Sequence, residues 1–183
     1  GGLGISYKDE QPPKISSFVS ALLGAVPANF KIALEPGRSI VGHTGILLTR
    51  VELVKQTASS RFVIVDAAMN DLLRPSLYSA WHDIVTCDEK SADEIEGASL
   101  CDVVGPVCET GDTLATGRKL SVLEGDLIGV LDAGAYGAVM GSNYNARLKC
   151  AEVLVQNDSF EIIKARQSFE DMVKIEREYL IPE

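Results

Sequence analysis

The sequence predicts a mainly β protein that begins with a single α/β unit and ends in a helix. After residue 40, short runs rich in valine, isoleucine and leucine are separated by glycine, asparagine and aspartate, which is typical of antiparallel strands in a sandwich or barrel. Before residue 40, apolar residues recur at helical spacing and then form one short apolar run. These patterns divide the chain into residues 1–40 and a β domain of residues 41–183.

The α/β unit is predicted from two consecutive stretches. KISSFVSALLGAV, residues 14–26, places apolar side chains three and four positions apart and is followed by Pro27, so it predicts a helix that ends there. FKIALEPGR, residues 30–38, then predicts a buried strand that runs into a turn at Pro36-Gly37. A loop, a helix and a strand in this order build parallel sheets and barrels. We therefore expect residues 1–40 to be the last unit of a larger barrel, and the chain to be a piece of a longer protein.

The end of the chain predicts a hairpin and a helix. CAEVLVQNDSFEIIKA has two β-prone runs that meet at Asn157-Asp158, a dipeptide suited to a hairpin turn. SFEDMVKIEREYL returns to helical spacing, with Ser168 as the expected N-cap. Its inward-facing residues are expected to be Phe169, Met172, Val173 and Ile175.

Composition excludes several kinds of partner. The 183 residues carry a formal net charge of −9, which argues against nucleic acid or an anionic membrane surface. No apolar run is long enough to span a bilayer. The four cysteines form no CxxC motif and only two histidines are present, so we expect no metal site. Free thiols are typical of a cytoplasmic protein.

Two glycine-containing turns near the start are candidate anion sites. GGLG, residues 1–4, exposes backbone N–H groups that suit a phosphate, although the pattern alone favours a plain turn. EPGR, residues 35–38, delivers a carboxylate at a strand end, a sharp turn and an arginine. A surface ion pair on a turn is the alternative interpretation.

The stretch DAAMNDLLRPSLYSAWH, residues 66–82, is a candidate carboxylate-binding segment. Arg74 and Tyr78 are four positions apart and share a face if the stretch is helical. Arginine binds carboxylates with two parallel hydrogen bonds, and tyrosine adds a donor. The alternative is a packed segment whose core residues are Leu72, Leu73, Leu77 and Trp81.

Two further stretches contain residues with reactive or polar side chains. In GPVCETGD, residues 105–112, Cys108 is a possible acid or nucleophile and Glu109 a possible cation-binding group. A small apolar cysteine beside a solvated glutamate is the alternative. In DAGAYGAVMGSNYN, residues 132–145, Tyr136 lies between small residues that allow either a ligand or another backbone to come close.

Taken in order, these motifs resemble the C-terminal half of the diaminopimelate decarboxylase family. Those are pyridoxal-phosphate enzymes related to alanine racemase and to eukaryotic ornithine decarboxylase. The resemblance covers nearly the whole chain, and MNDLLRPSLY followed by CETGD is its most specific part. It implies a C-terminal β domain preceded by a (β/α)8 barrel. The implied reaction is decarboxylation of meso-2,6-diaminopimelate to L-lysine and CO2.

The resemblance also implies roles for individual residues. Around the cofactor, Gly1 and Gly2 belong to a phosphate loop, Glu35 faces the pyridine nitrogen, and the turn at Gly37 and Arg38 donates to the phosphate. Tyr136 touches both phosphate and substrate. The substrate carboxylate is held by Arg38, Arg74 and Tyr78, and the distal ammonium by Glu109.

Cys108 resembles the proton donor of the family, in which the Cys-Glu pair reaches into the active site of a neighbouring subunit. We therefore expect a homodimer. The Schiff-base lysine and the histidine that stacks on the cofactor belong to the N-terminal barrel, and no lysine of this chain lies in a similar motif. We expect this chain alone to be inactive and an edge of its β domain to be open. His43 and His82 match no catalytic position and are expected to be structural or exposed.

Two alternatives remain open at this point. The chain is a non-catalytic half-protein that acts as an assembly or regulatory partner, or it belongs to a related decarboxylase of another basic amino acid.

Overall fold

The computed structural model describes residues 1–89 and 98–180, which form one six-stranded sheet, one two-stranded sheet and several helices. The strands are β1 (Leu47–Gln56), β2 (Arg61–Val65), β3 (Ile84–Thr86), β4 (Ser99–Val104), β5 (Thr113–Leu120), β6 (Leu127–Val130), β7 (Glu152–Gln156) and β8 (Ser159–Lys164). The α-helices are α1 (Ile15–Ala25), α2 (Gly37–Val41), α3 (Arg74–Tyr78) and α4 (Phe169–Leu180). Short 3-10 turns span Gly42–Thr44, Ala138–Met140 and Tyr144–Ala146.

The large sheet has the strand order β3-β6-β1-β2-β4-β5 and is nearly closed. Its edge strands β3 and β5 approach each other, and Arg118 on β5 donates from Nη2 to the backbone oxygen of His82, just before β3, over 2.9 Å. The prediction of a mainly β domain with a barrel-like sheet is confirmed.

The expectation of a purely antiparallel sheet is wrong at one pair of strands. β2 and β4 run parallel, with Val63 opposite Val103. A parallel pair needs a long crossover connection, and here the chain between the two strands passes through α3 and β3.

The core of the sheet is apolar and follows from the two-residue period of the strands. Side chains that point inward are buried, while their sequence neighbours point outward and are largely exposed, as in β1 and β5. The fully buried apolar side chains are Val51, Val63, Val65, Leu72, Val103, Leu114, Ile128 and Val130.

The predicted hairpin and the predicted N-terminal helix are both confirmed. β7 and β8 pair antiparallel around Asn157-Asp158, and Asn157 takes the left-handed φ of 52° that such a tight turn requires. α1 begins and ends within one residue of the predicted bounds.

The buried strand expected in residues 30–38 is not formed. Residues 31–36 take part in no strand pairing, and Ile32 and Leu34 are 37% and 40% exposed. A strand needs a ladder partner, and no described segment of this chain pairs with these residues. The division at residue 40 stays a prediction, and α2 runs across it.

The C-terminal helix is confirmed, but its apolar face is not buried as expected. The Oγ of Ser168 accepts from the backbone nitrogen of Asp171 over 3.1 Å, and the Asp171 carboxylate accepts from the Ser168 nitrogen over 2.9 Å, which is a reciprocal N-cap. Phe169 and Ile175 are 60% and 71% exposed, and Met172 and Val173 are partly buried. Within the described residues, no other element packs extensively against this face. No helix of the described part is long and apolar enough to cross a membrane.

Candidate functional site

An open cleft of about 530 Å³ lies between the N-terminal loop, α2, α3 and the segment after β6. It brings together four of the predicted site residues, namely Arg38, Arg74, Tyr78 and Tyr136. The cleft is also lined by Trp81, which was expected to be a core residue and is half-buried, and by Tyr7, Glu10 and Met140, for which the sequence predicted no role. A tyrosine and a glutamate inside an irregular N-terminal loop carry no periodic signal by which they could be found.

Arg74 is the most buried of the predicted residues in this cleft. It opens α3, where Pro75 occupies the first turn, and it is only 6% exposed. Its Nη1 lies 2.6 Å from Nε2 of His82, and its guanidinium carbon lies 4.3 Å from the centre of the Tyr7 ring. No carboxylate among the described residues forms an ion pair with Arg74. A buried cation in this state is ready to bind an anion from the cleft.

Tyr78 shares the helix with Arg74, as the spacing predicted, but is 63% exposed. The alternative interpretation of this stretch, a packed segment, is correct for Leu72, which is fully buried, and wrong for Leu77, which is 54% exposed. The segment therefore combines one core contact with two polar groups that face the cleft.

Arg38 is a second guanidinium group near the same aromatic ring. Its guanidinium carbon is 6.0 Å from the centre of the Tyr7 ring and 5.4 Å from that of Tyr136. Tyr7 thus has two guanidinium groups near its ring, and its buried hydroxyl has no hydrogen-bond partner in the described structure. Cations on aromatic faces are stabilised by the ring quadrupole, which holds both arginines in the cleft.

Glu10 places a carboxylate at the edge of the cleft. Its Oε2 accepts from the backbone nitrogens of Lys8 over 2.7 Å and Tyr7 over 2.9 Å. These hydrogen bonds, that from Lys8 first, hold the pKa of Glu10 below its ordinary value. They also fix the fold of the loop of residues 7–10.

Both histidines are accounted for by structural contacts, as expected. His82 is fully buried, and its ring meets that of Tyr7 edge to face at 5.2 Å. His43 is partly exposed, and its Nδ1 lies 2.5 Å from Oδ1 of Asp132.

Arg38 and Tyr136 are held near each other by a close contact between their two segments. The nitrogen of Gly134 donates to the oxygen of Gly42 over 3.1 Å. A Cβ built on Gly134 would lie 1.9 Å from the backbone oxygen of Val41, so only glycine fits there. Gly42, which follows α2, and Gly134, which lies two residues before Tyr136, therefore form one rigid junction.

The residues predicted to hold a phosphate lie where an anion would fit. A Cβ built on Gly1 would lie 3.4 Å from the oxygen of Glu35, so the glycine loop runs beside the EPGR turn. Gly2 has a φ of +94°, and no atom lies within 4 Å of a Cβ built on Gly2 or Gly37. The first turn of α2 has no side-chain cap and no acidic residue. The nitrogen of Gly37 donates to the oxygen of Glu35 over 2.9 Å, and the free space and the Arg38 guanidinium at this turn suit a phosphate.

The loop GPVCETGD is built on the carboxylate of Asp112, which is 3% exposed. Its Oδ2 accepts from the backbone nitrogen of Val107 over 2.7 Å, and its Oδ1 from that of Met69 over 2.6 Å. A Cβ on Gly105 would lie 2.3 Å from Oδ2, so the carboxylate occupies the space that this glycine leaves. Sequence analysis gave Asp112 no role, although an aspartate that closes a glycine-flanked loop is a recognisable signal for such a loop anchor.

Cys108 and Glu109 are exposed at the tip of this loop and are absent from the walls of the cleft. The carboxylate of Glu109 accepts from the hydroxyl of Tyr144 over 2.5 Å, and this hydrogen bond raises the pKa of Tyr144. From α3, the Oγ of Ser76 donates to the oxygen of Gly111 over 2.6 Å. The loop is therefore fixed to the same helix that carries Arg74 and Tyr78. Tyr144 was missed, although it is the second tyrosine of the stretch that contains Tyr136.

This fold and cleft define a class of protein. The family model described as "Pyridoxal-dependent decarboxylase, C-terminal sheet domain" matches residues 18–134, and the chain belongs to that family. Its members depend on pyridoxal phosphate, in agreement with the anion-binding features around α2.

Several similar proteins share one name. A curated diaminopimelate decarboxylase of Pseudomonas fluorescens is 46% identical over 184 residues, which cover 100% of this chain and 43% of the relative. The crystal structure of diaminopimelate decarboxylase from Helicobacter pylori, complexed with L-lysine, is 42% identical with a TM-score of 0.87 and covers 97% of this chain and 43% of that one. The crystal structure of the diaminopimelate decarboxylase from M. jannaschii is 33% identical with a TM-score of 0.87. The match covers 99% of this chain and 42% of that one. The chain thus spans less than half the length of the relatives it matches, and the resemblance to their C-terminal half is confirmed.

Proposed function

We propose that this chain is the sheet-domain part of a diaminopimelate decarboxylase, which converts meso-2,6-diaminopimelate to L-lysine and CO2. The observation that carries the proposal is the pair of guanidinium groups, Arg38 and Arg74, both near the Tyr7 ring in one cleft and without a carboxylate partner in the described structure. The names of relatives 42–47% identical to this chain support the same substrate.

In this proposal the arginines hold the carboxylate that remains in L-lysine, and the other carboxylate leaves as CO2. Arg74, buried and aligned by its neighbours, provides directed N–H donors, and Tyr78 on the same helix adds a hydroxyl. Arg38 is the second residue of α2 and lines the cleft, so it would contact both the substrate and the phosphate of the cofactor. Tyr136, stacked on Arg38, closes the same region.

Gly1, Gly2 and the turn at Gly37 would hold the cofactor phosphate through backbone amides, and the Glu35 carboxylate would pair with the pyridine nitrogen. When bound, pyridoxal phosphate supplies an electron sink for the electron pair that CO2 leaves behind. The chain's own residues orient the substrate so that the bond from the α-carbon to the carboxylate breaks. The electron pair is then used to form a new C–H bond at the same carbon.

Cys108 and Glu109 act in the active site of a second subunit. Their exposure, and their absence from the cleft of their own chain, support this assignment. The Sγ of Cys108 donates the proton to the α-carbon, and Glu109 pairs with the distal ammonium group of the substrate. Tyr144 fixes Glu109 in position for that contact. A homodimer with two shared sites follows from this arrangement.

The test is turnover by an assembled enzyme. This chain is fused behind the N-terminal part of the Pseudomonas fluorescens relative, which supplies the portion of that protein that the chain does not match. The fusion is expected to release CO2 and L-lysine from meso-2,6-diaminopimelate, and Arg74→Gln is expected to raise KM by roughly tenfold or more through the loss of a charge-assisted carboxylate contact. A folded fusion that binds pyridoxal phosphate but releases no CO2 would contradict the proposal.

A further inference from the structure

The orientation of the Arg74 guanidinium depends on His82, a residue that has no role in the proposed function. Arg74 is 94% buried, since its exposed fraction is 6%, and it has no ion-pair partner within residues 1–89 and 98–180. The acceptor that the structure provides is Nε2 of His82, 2.6 Å from Nη1. A buried cation without an anion needs such an acceptor to keep its orientation.

The contact with Arg74 fixes the protonation state of His82. A guanidinium group only donates hydrogen bonds, so Nε2 of His82 must accept and carry no proton. The other ring nitrogen, Nδ1, then carries the proton and donates it to the backbone oxygen of Leu131 over 2.8 Å. His82 is fully buried, so no solvent competes for either nitrogen. The ring is thus a neutral Nδ1–H tautomer that links the end of β6 to Arg74.

The charges around His82 favour the same neutral state. Two guanidinium groups face it, one on Arg74 and one on Arg118, whose Nη2 donates to the His82 backbone oxygen. Asp132 lies on the opposite segment and favours the charged form, while Tyr7 presents an uncharged ring. Burial, as the largest cause, lowers the pKa of His82 below its ordinary value of 6.5.

We infer that His82 is a positioning residue, which holds the Arg74 guanidinium by one N–H so that its remaining N–H groups face a carboxylate in the cleft. The identity of that carboxylate as part of the substrate rests on the proposed function. Protonation of Nε2 would replace the acceptor with a second donor and turn Arg74 out of this orientation.

A matched pair of variants separates the two nitrogens of the ring. In His82→Gln, the longer side chain puts an amide oxygen near the position of Nε2, which retains the acceptor for Arg74 and removes the donor to Leu131. In His82→Asn, the shorter side chain puts its amide near the position of Nδ1, which retains the donor and removes the acceptor. Both variants lose the ring contact with Tyr7, and asparagine also leaves the larger cavity, so the comparison is repeated in an Arg74→Gln background, where only the packing difference remains.

The readouts are the Kd for L-lysine, measured by calorimetry, and KM and kcat for meso-2,6-diaminopimelate in the assembled enzyme. We expect the Kd and KM of His82→Asn to rise roughly tenfold, because this variant loses one charge-assisted hydrogen bond. Those of His82→Gln should stay within about threefold of the wild-type values. In an Arg74→Gln background the two His82 variants are expected to bind alike, because His82 acts through Arg74.

Three outcomes would overturn the inference: equal affinities of the two variants, a larger loss in His82→Gln, or the same difference in the Arg74→Gln background. If the wild-type protein binds L-lysine but releases no CO2, the proposed function fails while the comparison of Kd values still decides the role of His82. If it binds no L-lysine at all, the carboxylate-holding role of Arg74 fails, and the inference with it.

Discussion

The Oδ1 atom of Asp112 lies 2.6 Å from the backbone nitrogen of Met69. This hydrogen bond joins the loop that carries Cys108 and Glu109 to the segment that leads into α3 and Arg74. One carboxylate therefore positions two groups that the proposed reaction needs, a proton donor and a carboxylate-binding arginine.

Replacement of Asp112 by asparagine tests this link. An amide has one oxygen and one NH2 group, so one of the two backbone N–H donors, from Met69 or Val107, would face another donor. We expect the free energy of unfolding of Asp112→Asn to fall by about 1–3 kcal/mol, measured by urea denaturation. Asp158→Asn, at an exposed hairpin position, is the control and should change it by less than about 0.5 kcal/mol. Equal stabilities of the two variants would show that the carboxylate does not anchor the loop.

The junction between α2 and the segment of Tyr136 predicts a second effect on stability. In Gly134→Ala the new methyl group would lie 1.9 Å from the oxygen of Val41, so the two segments must separate, at a cost of about 1–3 kcal/mol. Gly24→Ala, in α1 with open space around it, should instead stabilise the protein by roughly 0.5–1 kcal/mol. Thermal unfolding followed by circular dichroism compares the two, and a Gly134→Ala protein that melts at the wild-type temperature would refute the close contact.

The buried His82 predicts a loss of stability on acidification. Its pKa in the folded protein lies below the ordinary value of 6.5, so below about pH 6.5 the unfolded chain binds a proton that the folded protein does not. The stabilisation is present above pH 6.5 and is lost as the pH falls through the folded pKa, by up to about 1.4 kcal/mol per pH unit. Between pH 7 and 5, the unfolding free energy of His82→Gln should therefore fall less steeply than that of wild type. Parallel curves for wild type and His82→Gln would contradict this origin.

Cys108 predicts a kinetic effect rather than a structural one. Because its Sγ is exposed and is proposed to protonate the α-carbon only in the transition state, Cys108→Ala in the assembled enzyme should lower kcat by roughly 10²–10⁴-fold. KM should change little, since the thiol contributes no binding to the ground state. Cys87→Ala removes another exposed thiol and should leave both constants unchanged. A rise in KM at constant kcat would exclude the proton-donor role.

Local patterns were sufficient to predict most elements of the fold. The N-terminal helix, the hairpin at Asn157-Asp158 and the Ser168 cap each depend on a few neighbouring residues, and each is present. The parallel pairing of β2 and β4, by contrast, depends on where a long connection returns, which no local pattern encodes. The expected burial of residues 30–38 and of the α4 face needed packing partners that the described part of the chain does not contain.

The candidate site was predictable to the extent that its residues stand in specific motifs. Arg38, Arg74, Tyr78 and Tyr136 were singled out from EPGR, RPSLY and DAGAYG, and the fold brings all four to one cleft. The supporting residues were not found in this way, because their roles arise from contacts between distant segments. His82 reaches Arg74 across a turn and Leu131 across the sheet, and Asp112 reaches Met69 between two loops.

In the proposed function, this chain is the sheet-domain part of an enzyme specific for meso-2,6-diaminopimelate. The most direct measurement is kcat/KM of the assembled enzyme for that compound, for L-lysine and for L-ornithine, from the release of CO2. We expect meso-2,6-diaminopimelate to be preferred by roughly 10²-fold or more, because L-lysine and L-ornithine lack the second carboxylate and would leave the two arginines without an anion. Comparable values for L-lysine or L-ornithine would contradict it and would indicate a decarboxylase of another basic amino acid.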